Sequence, residues 1–187
     1  MERKGDWCQT YLGKKFYPLD PRPEDFYIED IAHALSNLCR FGGHSSEFYT
    51  VAQHSVIISD LCSPQNALWG LLHDGMEAYL VDIPRPVKRC LPDYIECEQL
   101  VMENMAKAFN LPMPMPKEVK NLDTYLLTVE RDLLMKTELD WGLVYDDLKL
   151  DIKIEKFWSP EEAKTEFLNR YISLKAKRWI REGDLKC

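Results

Sequence analysis

An all-α helical bundle is the fold class this sequence predicts. Three observations carry the prediction. Apolar residues recur at helical spacing in segment after segment. Capping residues stand ahead of several of those segments, and only one short stretch alternates with the period of a strand. The chain of 187 residues is long enough for one domain with a proper core.

The elements follow in order. Pro18, Pro21 and Pro23 make residues 1–28 an extended or turning arm, expected to pack on the bundle formed by 29–187. In "IEDIAHALSNLCRF", Ile31, Ala34, Leu35 and Leu38 share a helical face, and Glu29 and Asp30 suit the positive N-terminal end. "FGGHSSEFY" is a glycine-bearing turn. "TVAQHSVIISDLC" opens with Thr50 and Gln53 at capping-box spacing. "NALWGLLHDGMEAYL" is expected as the next helix, and "VDIPRPVKRCLPDY" as a proline-punctuated loop. Two longer helices are expected at 93–109 and 117–138, the second with a stripe of Val119, Leu122, Leu126, Val129 and Leu133. Leu148, Leu150, Ile152 and Ile154 then alternate with Lys149, Asp151, Lys153 and Glu155, which predicts a short β-hairpin or an extended segment near 140–157. The last helix begins at Ser159 as cap, with Pro160 at its first position, Glu162 three residues after the cap and Phe167, Tyr171 and Leu174 facing inward.

Composition removes several function classes. A net charge of −7 argues against binding a nucleic-acid polymer, although a local cationic pocket can still meet a small anion. No apolar run is long enough to span a bilayer, and "MERKGDWCQT" lacks the apolar core of a signal peptide, so a cytoplasmic protein without membrane contact is expected. Cys8, Cys39, Cys62, Cys90, Cys97 and Cys187 form no C-x-x-C pair and read as reduced thiols.

One stretch carries chemistry. In "LLHDGMEAYL", the polar groups His73, Asp74 and Glu77 fall on one arc of a helix whose other side is apolar. Burying carboxylates without partners costs several kcal/mol, about what a bound cation removes. Further ligands must come from other helices. His54 lies one turn into an apolar helix, and Asp123 sits at the edge of an apolar stripe. His54, His73, Asp74 and Asp123 would offer two nitrogens and two oxygens. That set suits Mn²⁺, Fe²⁺, Co²⁺ or Zn²⁺ better than Ca²⁺. His44, after Gly42 and Gly43, is a candidate phosphate or base contact.

"CRF" ahead of "VAQHS", then "LLHDGMEAYLVDIPRPVK", then "VKNLDTYL" resembles the HD-domain metal-dependent phosphohydrolases. The closer likeness is to the bacterial 5′-deoxynucleotidases of that superfamily, and phage enzymes that hydrolyse dATP to deoxyadenosine and triphosphate have a similar core. The likeness covers roughly residues 30–130. It implies an HD-domain helical bundle with His54, His73, Asp74 and Asp123 as metal ligands. Glu77 and Asp82 would place and activate the attacking water, and Arg40 and Lys88 would hold phosphate. Phe41 stands where the family has a tryptophan that crowds the sugar 2′ position, and Gln53 replaces the family's glutamate before the histidine. The deoxynucleotidases are dimers, so the resemblance also implies a homo-oligomer.

These roles agree with the chemistry of the residue types. Glu77 can accept a proton and Asp82 can relay it. Arg40 offers a planar fork for phosphate oxygens and Lys88 a point charge. The expected activity is hydrolysis of (deoxy)nucleotide 5′-phosphate esters, favoured as release of phosphate from deoxynucleoside monophosphates. One alternative is a dNTP triphosphohydrolase, to which the basic residues Arg85, Lys88 and Arg89 would contribute. Another is a catalytically silent nucleotide-binding module, and a third is a phosphodiesterase acting on dinucleotides.

Overall fold

The computed structural model describes residues 2–137, 139–144, 148 and 150–184, with 178–184 as helical backbone. As the patterning predicts, the chain is mostly helical; it also carries a small two-stranded sheet, which lies outside the 140–157 segment where a hairpin is expected. That sheet lies in the arm. β1 (Cys8–Gln9) and β2 (Lys15–Phe16) run antiparallel with Cys8 opposite Phe16, and Gly13 takes φ +73° in the turn between them. The arm is part of the core: Phe16 is buried and stacks on Tyr79 with centroids 4.0 Å apart. Arg3 grips Asp25 with two bonds of 2.8 and 2.7 Å, and the Leu12 N–H donates to Asp30 Oδ1 at 2.7 Å.

Helix α1 (Ile28–Asn37) stops before the end of its apolar pattern. Arg40 N–H donates to Tyr49 O at 2.8 Å and Val51 N–H to Leu38 O at 3.0 Å, so the chain leaves α1 as an antiparallel bridge centred on Cys39 and Thr50. A 3-10 turn at Arg40–Gly43 follows. The bridge sets Arg40 beside Tyr49, one residue ahead of the next helix cap.

Helix α2 (Val51–Leu61) is buried along most of its length and packs against α1, against α3 (Ala67–Leu72), α7 (Lys117–Leu134) and α8 (Pro160–Asp184). Thr50 Oγ1 caps it by accepting from Gln53 N at 3.0 Å. The Gln53 side chain points elsewhere: it donates to Lys156 O at 2.7 Å and accepts from Trp158 N at 3.0 Å, pinning the segment before α8. Gly70 lets α3 lie close on α2, because a Cβ there would sit 3.0 Å from Ser59 Cα and 2.8 Å from Cys62 Sγ.

The single helix expected over 66–80 is interrupted. After α3 the chain tightens, with Gly75 N–H on Leu72 O at 2.9 Å and Glu77 N–H on Asp74 O at 3.0 Å, before α4 (Glu77–Leu80). His73 gives the local cause. Its Nδ1 lies 2.8 Å from Gly70 O, the carbonyl that a regular helix would offer to the Asp74 N–H. His73 and Met76 keep right-handed helical angles, so the side chains still project in helical order.

A short helix α5 (Arg85–Lys88) and the long α6 (Pro92–Ala108) follow. On α7 the buried stripe runs Val119, Leu122, Leu126, Glu130 and Leu134, whereas Leu133 is 47% exposed. The alternating segment is extended and forms no strand among the described residues, with Leu148, Ile152 and Ile154 packed on the core. Residues 145–147 and 149 of that region lie outside the described residues. Helix α8 starts as its sequence predicts, with Glu162 N–H on Ser159 Oγ at 3.2 Å, and buries Ala163 and Phe167. Among the described residues no helix is long and apolar enough to cross a membrane. Cys8, Cys39, Cys62, Cys90 and Cys97 are free thiols, and Cys187 lies outside the described residues.

Candidate metal centre

Helices α2 and α7 and the turn after α3 bring His54, His73, Asp74 and Asp123 together. The two imidazole Nε2 atoms stand 3.3 Å apart. His54 Nε2 is 3.2 Å from Asp123 Oδ1 and 3.8 Å from Asp74 Oδ2. His73 Nε2 is 3.2 Å from Asp74 Oδ2 and 3.9 Å from Asp123 Oδ1. Donor atoms about 2.1 Å from one ion stand roughly 3.0–3.5 Å apart when adjacent. His54, His73 and Asp123 form a group that can hold a metal ion, and Asp74 borders it.

The tautomers strengthen this reading. A carbonyl oxygen only accepts, so His73 Nδ1 carries its proton toward Gly70 O. His54 Nδ1 lies 2.5 Å from Glu130 Oε1. Burial works to raise the Glu130 pKa, but Arg40 and His54 outweigh it and hold the carboxyl below its usual range, so it too accepts. With Nδ1 of each ring committed in this way, Nε2 is the atom that each imidazole turns toward the other and toward two carboxylates. Two ring nitrogens and two carboxylates gathered in this way make a place that a cation can fill. The proton affinity of His73 reflects the same surroundings: burial opposes the charged ring, yet Asp74 and Asp123 push its pKa up to about 9. His73 and Arg40 hold Asp74 well below the usual carboxylate range against the effect of its burial, and the histidines lower Asp123 likewise.

Glu130 and Tyr49 belong to the cluster as well, beyond the residues that the sequence pattern marks. Glu130 is fully buried. Besides His54 it accepts from Tyr49 Oη at 2.8 Å and from Arg40 Nε at 3.0 Å. Burial and the Glu130 charge raise the Tyr49 pKa, which keeps its hydroxyl a donor. A signal for Glu130 did exist: it lies seven positions after Asp123, on the same helical face and within an apolar stripe.

Arg40 lies in the cluster. Its Nε is on Glu130 and its Nη1 is 3.6 Å from Asp74 Oδ2. Glu77 is buried beside the ligands, and its Oε2 has no hydrogen-bond partner among the described residues. Burial first, then the charges of Asp74 and Asp82, push its carboxyl well above the usual range. Asp82 lies at the exposed rim, raised by partial burial and by Asp74. Lys88 Nζ sits 2.5 Å from Glu98 Oε1, and its charge reaches Glu77 and Asp82. Phe41 takes φ +57°, with Arg40 Cζ 5.5 Å from its ring and Trp141 edge-on at 5.9 Å. His44 is exposed at the end of that turn, its backbone N–H on Phe41 O at 3.1 Å, and among the described residues its side chain makes no hydrogen bond or ion pair with the cluster.

No family model matches the chain. Among curated proteins, it is 45% identical over 125 residues to the uncharacterized protein YfdR of Escherichia coli, which covers 67% of this chain and 70% of that protein. It is 33% identical over 127 residues to an uncharacterized protein of Rhodobacter capsulatus, covering 63% of this chain and 65% of that one. Neither name states an activity.

Proposed function

The chain belongs to the same family as YfdR of Escherichia coli, and from its own site we propose that it is a metal-dependent hydrolase of (deoxy)nucleotide 5′-phosphate esters. The observation that carries the reading is the meeting of two Nε2 atoms with Asp74 and Asp123, next to an arginine and a buried carboxyl whose Oε2 has no hydrogen-bond partner among the described residues. His54, His73, Asp74 and Asp123 are the residues that would hold the ion. A divalent cation there supplies charge neutralisation for phosphoryl oxygens and lowers the pKa of a water.

The chain's own groups do the rest. Arg40, fixed at Nε by Glu130, turns Nη1 toward Asp74, from where the guanidinium can hold a phosphoryl group. Glu77 has an oxygen with no hydrogen-bond partner among the described residues, which suits it to take a proton from an attacking water. Asp82 shares the electrostatic environment of Glu77 and can pass that proton to solvent at the rim. Lys88 adds positive charge beside both.

The HD-domain resemblance supports the choice of phosphate esters, and that to 5′-deoxynucleotidases supports deoxynucleoside monophosphates. Hydrolysis of dNTPs to triphosphate uses the same scissile bond, and the exposed Arg85 and Arg89 favour keeping that reading second. Incubation with dAMP and with dATP in Mn²⁺, Co²⁺ or Zn²⁺, resolving phosphate from triphosphate, tests the proposal. Phosphate release from dAMP is expected. Triphosphate release would move the assignment to the second reading, and no release from any nucleotide would refute both.

A further inference from the structure

Helix α6 meets the segment between Glu77 and Lys88 through two side chains one turn apart. The Tyr94 hydroxyl donates to Val81 O at 2.5 Å and lies 3.3 Å from Leu80 O. Glu98 accepts from Lys88 Nζ at 2.5 Å, and that ammonium lies 5.8 Å from the Tyr94 ring centroid. Asp82 stands between these two attachments in the chain.

Val81 itself is strained. Its φ of +63° and ψ of 156° fall in a region that glycine tolerates and a β-branched residue avoids. The residue is 55% exposed, so burial of its methyl groups does not hold it there. Two backbone attachments do: Val81 N–H on Glu77 O at 3.0 Å, and Val81 O on the Tyr94 hydroxyl. The turn so formed carries Asp82 back toward Asp74, whose charge acts on it, and toward Glu77, on which Asp82 acts in turn. The Tyr94 phenol stays protonated, because burial and the carboxylates of Glu98, Glu77 and Asp82 raise its pKa.

We infer that Tyr94 and Glu98 are positioning residues, which hold the strained Val81 turn and the Lys88 ammonium so that Asp82 and Lys88 face the metal centre. The consequence for turnover rests on the phosphohydrolase reading, whereas the clamp on Val81 is measurable without it.

The test is a double-variant cycle of Tyr94→Phe and Val81→Gly, read by Tm and by steady-state kinetics with dAMP and Mn²⁺. Tyr94→Phe lowers Tm by about 2–4 °C and kcat by about tenfold. Glycine adopts the same backbone without strain, so removal of the hydroxyl no longer releases any strain to offset the lost bond: the Tm loss caused by Tyr94→Phe grows when Val81→Gly is present, while kcat recovers because the unclamped turn keeps its shape. An equal Tm loss in both backgrounds overturns the clamp. A shared Tm coupling with kcat unchanged by Tyr94→Phe overturns the positioning role. Glu98→Gln raises KM severalfold at constant kcat, and an unchanged KM removes Glu98 from the proposal. If the wild-type chain hydrolyses no nucleotide, the functional reading falls while the Tm cycle still decides the clamp.

Discussion

His54 and His73 face each other Nε2 to Nε2 at 3.3 Å, each with its Nδ1 proton committed to a separate acceptor. Those acceptors, Glu130 and the Gly70 carbonyl, decide which nitrogen is left for a cation. The metal-binding face of the pair is thus set by groups that would not touch the metal.

Glu130→Gln tests that arrangement. The amide keeps the shape but can no longer offer two accepting oxygens to His54, Tyr49 and Arg40. Metal affinity should fall about 10- to 100-fold, measured by titrating Mn²⁺ into the chelator-treated protein. Affinity within twofold of wild type would show that His54 is oriented by something else.

Glu77→Gln separates chemistry from binding. The glutamine preserves the volume of a buried side chain and cannot take a proton. Mn²⁺ binding should persist while kcat for nucleotide hydrolysis drops by about 10²–10⁴. Intact turnover would exclude Glu77 as the base.

Gly70→Ala acts through packing. The new methyl would collide with the Ser59 backbone and with Cys62, driving α3 off α2 and pulling His73 away from His54. Overpacking of this kind costs about 1–3 kcal/mol, visible in urea unfolding, and metal affinity should weaken with it. A stable variant with unaltered metal binding would mean that the interface yields without moving the histidines.

Glu118 supplies a pH signature away from the site. It accepts from Ser63 N at 2.9 Å, from Ser63 Oγ at 2.6 Å and from Asn66, fastening the turn before α3 to the start of α7. Partial burial works to raise its pKa, but these bonds prevail and lower it below the ordinary glutamate value. A depressed folded-state pKa means stability that is present above the unfolded value and lost as pH falls through the folded one. Between about pH 5 and pH 3, wild type should therefore lose more Tm than Glu118→Gln does. Parallel losses would remove Glu118 from the acid response.

Local chemistry was legible in the sequence. Ser159, Pro160 and Glu162 announce the start of α8, and Thr50 announces α2, because a cap is made within a few residues of itself. What depends on distant partners was not. The break after Leu72 comes from the His73 ring taking a backbone carbonyl, which a helical wheel does not contain. Leu148, Ile152 and Ile154 alternate because one side of an extended chain meets the core, and the same pattern would serve a paired strand. The strands that do pair, at Cys8–Gln9 and Lys15–Phe16, are too short to show a period. In the site, the histidines and aspartates stood out as ionisable groups in apolar surroundings. Glu130 reads like a surface residue between Val129 and Arg131 until Arg40, Tyr49 and His54 are brought around it.

Anomalous diffraction from crystals soaked in Mn²⁺ tests the central claim most directly. One peak is expected, within bonding distance of His54 Nε2, His73 Nε2, Asp74 and Asp123. Density absent from that point in crystals that diffract well, or a peak bound by other residues, would contradict a metal centre there and the hydrolase built on it.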